Sequence, residues 1–163
     1  MRHPETYLEK ILTKEQARQQ VMRWRLLGQS VGFTNGVFDL LHEGHLFSLT
    51  QAAREATHLI VAINSDASVK RLKGPERPIQ SQTTRAQVLA ALVFVDAVII
   101  FDEDTPAELI EWIEPDVLVK GGDYKPEQIA GAECVLKKGG RVIINPILEG
   151  HSTTATIERL KKD

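Results

Sequence analysis

Segment 34–45, which reads TNGVFDLLHEGH, combines histidines and glycines at a spacing that suits phosphate chemistry. It follows a short apolar run and opens a stretch with helical spacing, so we expect a strand, a tight turn and a helix start. The N–H groups at a helix start attract anions, and Gly36 and Gly44 allow a sharp turn and a close ligand approach. His42 and His45 lie three residues apart and would point the same way on a helical turn. The segment therefore predicts a phosphate site flanked by two imidazoles.

A histidine pair is also compatible with two of the three protein ligands of a zinc ion. Zinc-binding pairs on helices are usually four residues apart, however, and the sequence offers no obvious third ligand near His42 and His45. The chain has one cysteine, Cys134, so it has neither a disulfide framework nor a cysteine-based zinc site. We therefore expect no metal ion held by the protein itself.

Length, composition and charge limit the class of protein. The chain has 163 residues, 42% hydrophobic and 26% charged, with a net charge of −2 at pH 7. These values predict one ordinary globular domain without the net positive charge that attracts nucleic acid. No run approaches the roughly 18 apolar residues of a membrane span, and residues 1–10 lack the apolar core of a signal peptide. We expect a cytoplasmic protein that binds neither nucleic acid nor a membrane.

Short apolar segments rich in Val and Ile alternate with helical patterns along the chain. Thr13 and Gln16 have the spacing of a capping box, ahead of a first helix that should run to about Leu27. The predicted strands span 31–35, 59–63, 97–101, 117–120 and 141–145. The later helices are predicted over 45–56, 83–93, 126–138 and 153–162, with another that starts at 105–108. We divide the chain into a helical extension, 1–29, and a main domain, 30–163.

This alternation predicts an α/β fold, namely a Rossmann-like, doubly wound parallel sheet of five strands with helices on both faces. With the strand order 3-2-1-4-5, the switch point lies between the first and fourth strands, and ligands bind there at the carboxyl ends. The two polar, glycine-rich segments of the chain, 34–45 and 119–124, follow these two strands. Their positions predict a nucleotide site without reference to any family.

Basic residues after the second strand are candidates to contact a triphosphate. Lys73 and Arg77 lie in a turn-rich loop, 73–78, and Arg85 begins the next helix. A cation is unfavourable at a helix start, which favours a functional role for Arg85. We expect the loop to be mobile when empty, with cations that lack protein partners, and to close over phosphates. The alternative is a solvated connector.

Two further segments carry groups that suit anions. Lys120 can meet phosphate as a point charge, and Gly121 and Gly122 permit a close backbone approach. Asp123 is either a ligand contact or a turn residue. Segment 152–154 supplies hydroxyls at the start of the last helix, where they act as ordinary caps or as an anion site.

Together and in this order, these segments resemble one family, the adenylyltransferase domain of the bifunctional heptose kinase/adenylyltransferases. The motifs that carry the resemblance are NGVFDLLHEGH (35–45), NSD (64–66), KGP and RP (73–78), Arg85 with VLAAL (88–92), DEDTP (102–106), LVKGGDYKP (118–126) and STT (152–154). They include the HxGH signature of cytidylyltransferase-like nucleotidyltransferases and span about residues 30–160. No kinase domain precedes them, so the chain resembles a stand-alone transferase.

The resemblance implies an enzyme that joins ATP and D-glycero-D-manno-heptose 1-phosphate to give ADP-heptose and pyrophosphate for lipopolysaccharide. It also implies Mg²⁺ carried with ATP, and a homo-oligomer, most simply a dimer. The implied catalytic residues are His42, His45, Lys73 and Arg85. The implied nucleotide contacts are Thr34, Asn35, Gly36, Val37, Phe38, Asp39, Gly44, Lys120, Gly121, Gly122, Asp123, Ser152, Thr153 and Thr154. The implied substrate contacts are Arg77, Asn64 and Asp66.

Other functions are compatible with the same motifs. The nearest is a CTP-dependent cytidylyltransferase for a phospho-alcohol such as glycerol 3-phosphate, but two differences weaken it. At the position of Val93 those enzymes carry an arginine. They carry another arginine before the last helix, and segment 148–154 of this chain has none. A flavin- or pantetheine-type adenylyltransferase is a further alternative, and a non-catalytic nucleotide-binding module is an alternative of another class.

Overall fold

Six parallel strands form one sheet in this computed structural model, which describes residues 3–122 and 124–146. The strands are β1 (Ile11–Leu12), β2 (Val31–Gly36), β3 (His58–Asn64), β4 (Ala97–Phe101), β5 (Val117–Gly121) and β6 (Arg141–Asn145). Their order across the sheet is β1-β4-β3-β2-β5-β6. The predicted fold class is confirmed, and β2 to β6 are the five predicted strands in the predicted relative order. The expected strand count was one too low, because a two-residue edge strand leaves no periodic signal.

Helices connect successive strands and cover both faces of the sheet. They are α1 (Lys14–Leu26), α2 (Glu43–Ala53), α3 (Asp66–Lys73), α4 (Gln82–Ala90), α5 (Ala107–Ile113) and α6 (Ala132–Lys137), with 3₁₀ turns at Pro4–Lys10 and Pro126–Gln128. The helix predicted over 126–138 is therefore two shorter pieces, and the one predicted over 153–162 lies outside the described residues. None of the described helices has the length and apolar character needed to cross a membrane.

Helix α3 is an element that the sequence pattern did not predict. It is eight residues long and begins at a Ser65 cap, whose hydroxyl accepts a hydrogen bond from the Ser68 backbone N–H. Its buried residues are Ser68 and Val69 alone, so it lacks the apolar stripe that identifies a helix in sequence. Part of the segment expected to be a loop is consequently helical, and Lys73 is its last residue.

Two hydrophobic layers form because successive strand residues point to opposite faces of the sheet. On one face, Phe33, Ile60 and Ile99 pack with the buried sides of α1, α5 and α6. On the other face, Val61 and Val98 pack with α2 and α4. Residues of α1 belong to the first layer, so the N-terminal segment adds both β1 and a packed helix to the sheet.

The predicted capping box of α1 is confirmed and generates a test of local stability. Thr13 Oγ1 accepts a hydrogen bond from the Gln16 backbone N–H at 3.2 Å, and Gln16 Oε1 accepts one from the Thr13 N–H at 2.9 Å. Thr13→Ala removes the side-chain acceptor and should lower the free energy of unfolding by about 1 kcal/mol. Thr13→Ser keeps the acceptor and is the matched control. Urea denaturation measures both, and equal stability of Thr13→Ala and the parent chain would contradict the assignment.

Candidate active site

The switch point of the sheet lies between β2 and β5, as predicted. These strands are neighbours, with Gly32 opposite Val117 and Phe33 opposite Leu118. Their carboxyl ends therefore bring together Asn35 and Lys120, whose Oδ1 and Nζ atoms are 3.5 Å apart. The preceding β2 residue, Thr34, is buried within the strand. Two of the segments that the sequence analysis selected thus meet at one edge.

A tight turn after β2 places an aromatic ring between the strand and the histidines. Phe38 has a left-handed backbone with φ of 48°, and its ring folds back over Gly36. A Cβ atom at Gly36 would lie 2.9 Å from Phe38 Cε2, so any other residue there would displace the Phe38 ring. The Phe38 ring then meets the His45 ring edge-on, with centroids 5.3 Å apart. The turn therefore supports one of the candidate catalytic side chains.

His42 and His45 stand together at the start of α2, where Gly44 lies between them. His42 caps the helix with its backbone, since its carbonyl accepts hydrogen bonds from the N–H groups of His45 and Leu46. The two imidazole rings stack with centroids 3.8 Å apart and planes 24° apart. The expectation that both point the same way is confirmed. Such a pair at the N-terminus of a helix suits a polyanionic ligand.

Burial and the neighbouring ring control the charge of His45. Burial first, and then repulsion from His42, lower the pKa of His45 to about 4, although a hydrogen bond with the Leu40 backbone opposes the shift. His45 is therefore neutral at pH 7 in the protein without ligand. A phosphate placed beside it would favour the protonated form and raise its pKa again.

Asp39 is a buried anchor for the chain that leads from α3 to α4. Its carboxylate accepts a hydrogen bond from Arg77 Nε at 2.7 Å and from the backbone N–H groups of Ile79 and Gln80 at 2.9 Å. Burial alone would raise the pKa of Asp39, but the Gln80 and Ile79 amides and the Arg77 guanidinium outweigh it and lower that pKa. The expectation that the loop cations lack protein partners is wrong for Arg77, because a buried carboxylate fixes its position.

Arg85 is also engaged by the protein. Its side chain has no exposed surface, and its guanidinium donates hydrogen bonds to four acceptors in four separate segments. These acceptors are the carbonyl oxygens of Gln80, Val37 and Asn64 and the carboxylate of Asp66, at 2.7 to 3.1 Å. In this structure Arg85 therefore ties the turn after β2 to the end of β3 and the start of α4. Asp66, predicted as a substrate contact, faces Arg85 here.

A cavity of about 350 Å³ opens at the carboxyl ends of β2, β3 and β5. Of the predicted site residues, it is lined by Asn35, Gly36, Val37, Asn64 and Lys120. Burial lowers the pKa of Lys120. Lys73, by contrast, is exposed at the end of α3 and does not line the cavity. A larger cavity, about 670 Å³, lies beside β1, α1 and α5 and is lined by none of the predicted site residues.

Further residues around the cavity were not found from the sequence. Thr105 follows β4, while Tyr124 and Gln128 follow β5, so each lies just beyond the carboxyl end of a strand. That position was the available signal, and Thr105 and Tyr124 also lie in the DEDTP and LVKGGDYKP motifs, although no role was inferred for their side chains. Of the remaining predicted contacts, two are glycines and four lie outside the described residues. Gly121 and Gly122 lie at the end of β5, whereas Asp123, Ser152, Thr153 and Thr154 lie outside the described residues.

The Asp39 anchor generates a prediction about stability and pH. Asp39→Asn leaves the Arg77 cation and backbone donors without their charged partner, so it should lower the free energy of unfolding at pH 7 by about 3–5 kcal/mol. The pKa of Asp39 is lower in the folded protein than its ordinary value. The carboxylate therefore stabilises the fold above its ordinary pKa, and this stabilisation is lost as pH falls through the pKa of the folded protein. The difference between variant and parent should therefore shrink below about pH 4.

Urea denaturation at several pH values measures this difference. Glu133→Gln is the matched control, since it removes an equal charge from an exposed ion pair on α6 and should change stability little at any pH. A cost for Asp39→Asn that is small, or that grows on acidification, would contradict the anchor role.

Comparison with known proteins identifies the family of this chain. The cytidylyltransferase-like family model matches residues 33–159. Bifunctional protein HldE of Gluconacetobacter diazotrophicus is 54% identical over 151 residues, which are 93% of this chain and 31% of that protein. Bifunctional protein HldE of Hyphomonas neptunium is 56% identical over 140 residues, 86% of this chain and 29% of that one. The chain thus spans about a third of the length of these relatives.

A solved structure is also similar to this chain. The crystal structure of the lipopolysaccharide core biosynthesis protein from Thermoplasma volcanium GSS1 superposes with a TM-score of 0.60 at 28% identity, covering 76% of this chain and all of that one. The resemblance to the adenylyltransferase domain of the bifunctional heptose enzymes, drawn from the sequence, is confirmed by these matches. The chain belongs to the cytidylyltransferase-like family.

Proposed function

We propose that this nucleotidyltransferase joins ATP and D-glycero-D-manno-heptose 1-phosphate to form ADP-heptose and pyrophosphate, a step towards lipopolysaccharide. The observation that carries the proposal is the stacked His42–His45 pair at the start of α2, which follows the turn whose residues Gly36 and Val37 line the cavity. The similarity to bifunctional protein HldE supports the choice of a nucleotide and a heptose as substrates.

The chemistry requires one displacement at phosphorus. An oxygen of the sugar phosphate attacks the α-phosphorus of ATP in line, the bond to the β-phosphate oxygen breaks, and pyrophosphate leaves. The attacking phosphate is already ionised, so the protein needs no general base. Its contribution is to align the two substrates and to neutralise the charge that develops.

The site residues divide into ligand-facing and positioning groups. His42 and His45 face the phosphates together with the first N–H groups of α2, and His45 can take up a proton as the triphosphate binds. Lys120 contributes a cation from the end of β5, and Lys73 one from the end of α3. Asp39, Arg77 and Arg85 act through the backbone that they hold, which revises the direct contacts first inferred for them.

Mg²⁺ would enter with ATP, held by phosphate oxygens. Asp39 and Asp66, two of the carboxylates within the site motifs, are engaged by Arg77 and Arg85. Within residues 3–122 and 124–146, no three His, Cys, Asp or Glu side chains are arranged to hold a metal ion. Mg²⁺ carried by the nucleotide would supply further charge neutralisation at the site. Assembly as a homodimer stays a prediction, which light scattering of the purified protein tests.

A substrate panel tests the proposal. Pyrophosphate release is measured with ATP or CTP, each paired with heptose 1-phosphate or glycerol 3-phosphate in the presence of Mg²⁺. The pair ATP and heptose 1-phosphate should give the highest kcat/KM. Equal or faster turnover of CTP with glycerol 3-phosphate would replace the proposal with the cytidylyltransferase alternative, and no turnover of any pair would favour a non-catalytic module.

The histidine pair is tested by substitution. His42→Ala and His45→Ala should each lower kcat by about 10²-fold or more, the usual loss for one preorganised donor to the transition state. His58→Gln is the control, because His58 is a half-buried histidine at the start of β3, the opposite end of that strand from the site. Near-normal kcat in either alanine variant, measured on folded protein, would show that the assigned role is wrong.

The lowered pKa of His45 predicts proton uptake on nucleotide binding. Between about pH 5 and 6.5, unliganded His45 is mostly neutral because its pKa is about 4, and phosphate should raise that pKa. Calorimetric titration with ATP and Mg²⁺ in two buffers of different ionisation enthalpy measures the protons taken up. His45→Asn should take up fewer protons than the parent chain. Identical proton uptake in the two proteins would contradict a phosphate contact at His45.

A further inference from the structure

We infer that Asn145 is a positioning residue for the transfer reaction, because it joins the helix that carries His42 and His45 to the strand end that carries Lys120. The inference rests on the proposed function and deepens it, since it assigns a residue that sets the relative positions of the phosphate-binding groups. Asn145 carries no role predicted from the sequence, and it does not line the cavity at the carboxyl ends of β2, β3 and β5.

Asn145 is a buried amide at the end of β6, with 5% of its surface exposed. Its Nδ2 atom donates a hydrogen bond to the carbonyl oxygen of Ser48 in α2, at 3.3 Å. Its own carbonyl oxygen accepts a hydrogen bond from the Gly122 backbone N–H at 3.1 Å, and Gly121 is its register partner in β5. One residue therefore contacts both the helix and the neighbouring strand end.

Both contacts lie next to ligand-facing groups. Ser48 follows His45 by three residues, so the two residues lie on the same side of α2 within one turn. Lys120 immediately precedes Gly121 at the end of β5. A shift of α2 relative to β6 would therefore change the distance between the imidazole of His45 and the ammonium of Lys120. These two groups have to fit one set of phosphates under the proposed function.

Helix α2 packs on the end of β5 with little space between them. A Cβ atom at Gly121 would lie 3.1 Å from Ser48 Oγ, so the helix approaches the strand backbone closely. This contact limits how near the helix can come, but it does not fix the direction of the helix. The Asn145 amide supplies a directional contact, since a hydrogen bond weakens steeply as its angle departs from linearity.

The type of residue at position 145 supports a role in orientation. Ile143, two residues earlier and on the same face of the sheet, is apolar and packs in the layer beneath α2 and α4. An apolar side chain at position 145 would suit that layer, whereas a buried amide costs free energy unless its hydrogen bonds are made. The Ser48 carbonyl lies inside a helix, where the backbone already supplies one donor. What the Asn145 amide adds is therefore a fixed orientation of α2.

Asn145→Leu separates positioning from stability. Leucine has the same branched shape as asparagine and removes the hydrogen bond to Ser48, whose carbonyl keeps its helical donor. The free energy of unfolding should therefore equal that of the parent chain or exceed it. The kcat should nevertheless fall about tenfold, because small displacements of aligned groups are costly to catalysis. Urea denaturation and pyrophosphate release with ATP and heptose 1-phosphate measure the two quantities.

Gln29→Ala is the matched control. Gln29 Oε1 lies 2.9 Å from His58 Nε2, so this amide also joins two segments, but it does so at the amino end of β3, away from the site. Its removal should lower the free energy of unfolding and leave kcat unchanged. A purely structural role for Asn145 predicts the same pattern for both residues.

Asn145→Asp adds a measurement of pH dependence. A carboxylate of the same shape places a negatively charged oxygen against the Ser48 carbonyl oxygen, so kcat at pH 7 should fall at least as far as in Asn145→Leu. As pH falls, the carboxyl group takes up a proton and regains a donor. The ratio of variant to parent kcat should therefore rise on acidification for Asn145→Asp and stay constant for Asn145→Leu.

A double-mutant cycle with Lys120→Gln identifies the groups that Asn145 positions. If Asn145 sets the distance between His45 and Lys120, Asn145→Leu should lower kcat less in the Lys120→Gln background than in the parent chain. Normal kcat in Asn145→Leu, a constant ratio for Asn145→Asp, or equal effects of Asn145→Leu in the two backgrounds would overturn the inference.

Failure of the proposed function has a different signature, since the parent chain would then release no pyrophosphate from ATP and heptose 1-phosphate. Proton uptake on binding of ATP and Mg²⁺ needs no acceptor, so calorimetry still tests Asn145 in that case. Asn145→Leu should take up fewer protons than the parent chain, because His45 would no longer be aligned with the phosphates. Unchanged proton uptake would contradict the positioning role.

Discussion

Two buried charges hold the site together, the carboxylate of Asp39 and the guanidinium of Arg85. Arg85 joins the turn after β2 to the end of β3 and to the segment before α4, whereas Asp39, in the turn after β2, holds residues 77–80. Each would be costly to bury alone, and each is compensated by charged and backbone partners. Because their partners are mostly backbone groups, these residues fix the path of the chain around the cavity. The ligand-facing side chains can therefore be few and partly mobile.

The electrostatics of the site follow from this division of roles. Charges that build the scaffold are paired within the protein, whereas burial lowers the pKa of His45 to about 4 and also lowers the pKa of Lys120. A polyanionic substrate reverses that effect, since it favours the protonated form of both groups. Under the proposed function, binding of the phosphates would complete the charge balance at the place of the displacement.

Much of the fold could be predicted from the sequence, because buried parallel strands appear in it as short hydrophobic runs. The five longer strands and their relative order followed from alternation and connection rules, and the histidine pair followed from its spacing.

Strand β1 and helix α3 were missed, since neither carries an apolar period. The pairing of Arg77 and Arg85 with carboxylates was not predicted, because a basic residue in a turn-rich segment looks the same whether its partner is a phosphate or a buried carboxylate. Only tertiary pairing with Asp39 and Asp66 distinguishes the two. Thr105 and Gln128 were missed for a related reason, as they become neighbours only when separate strand ends meet.

The central claim is that the acceptor phosphate attacks ATP directly while the histidines only position and neutralise. The most direct test uses ATP made chiral at the α-phosphorus, with heptose 1-phosphate as acceptor, and determines the configuration of the product by phosphorus NMR. A single in-line displacement predicts ADP-heptose with inverted configuration at that phosphorus. Retention would reveal a covalent intermediate on the enzyme, and absence of ADP-heptose would contradict the assigned reaction itself.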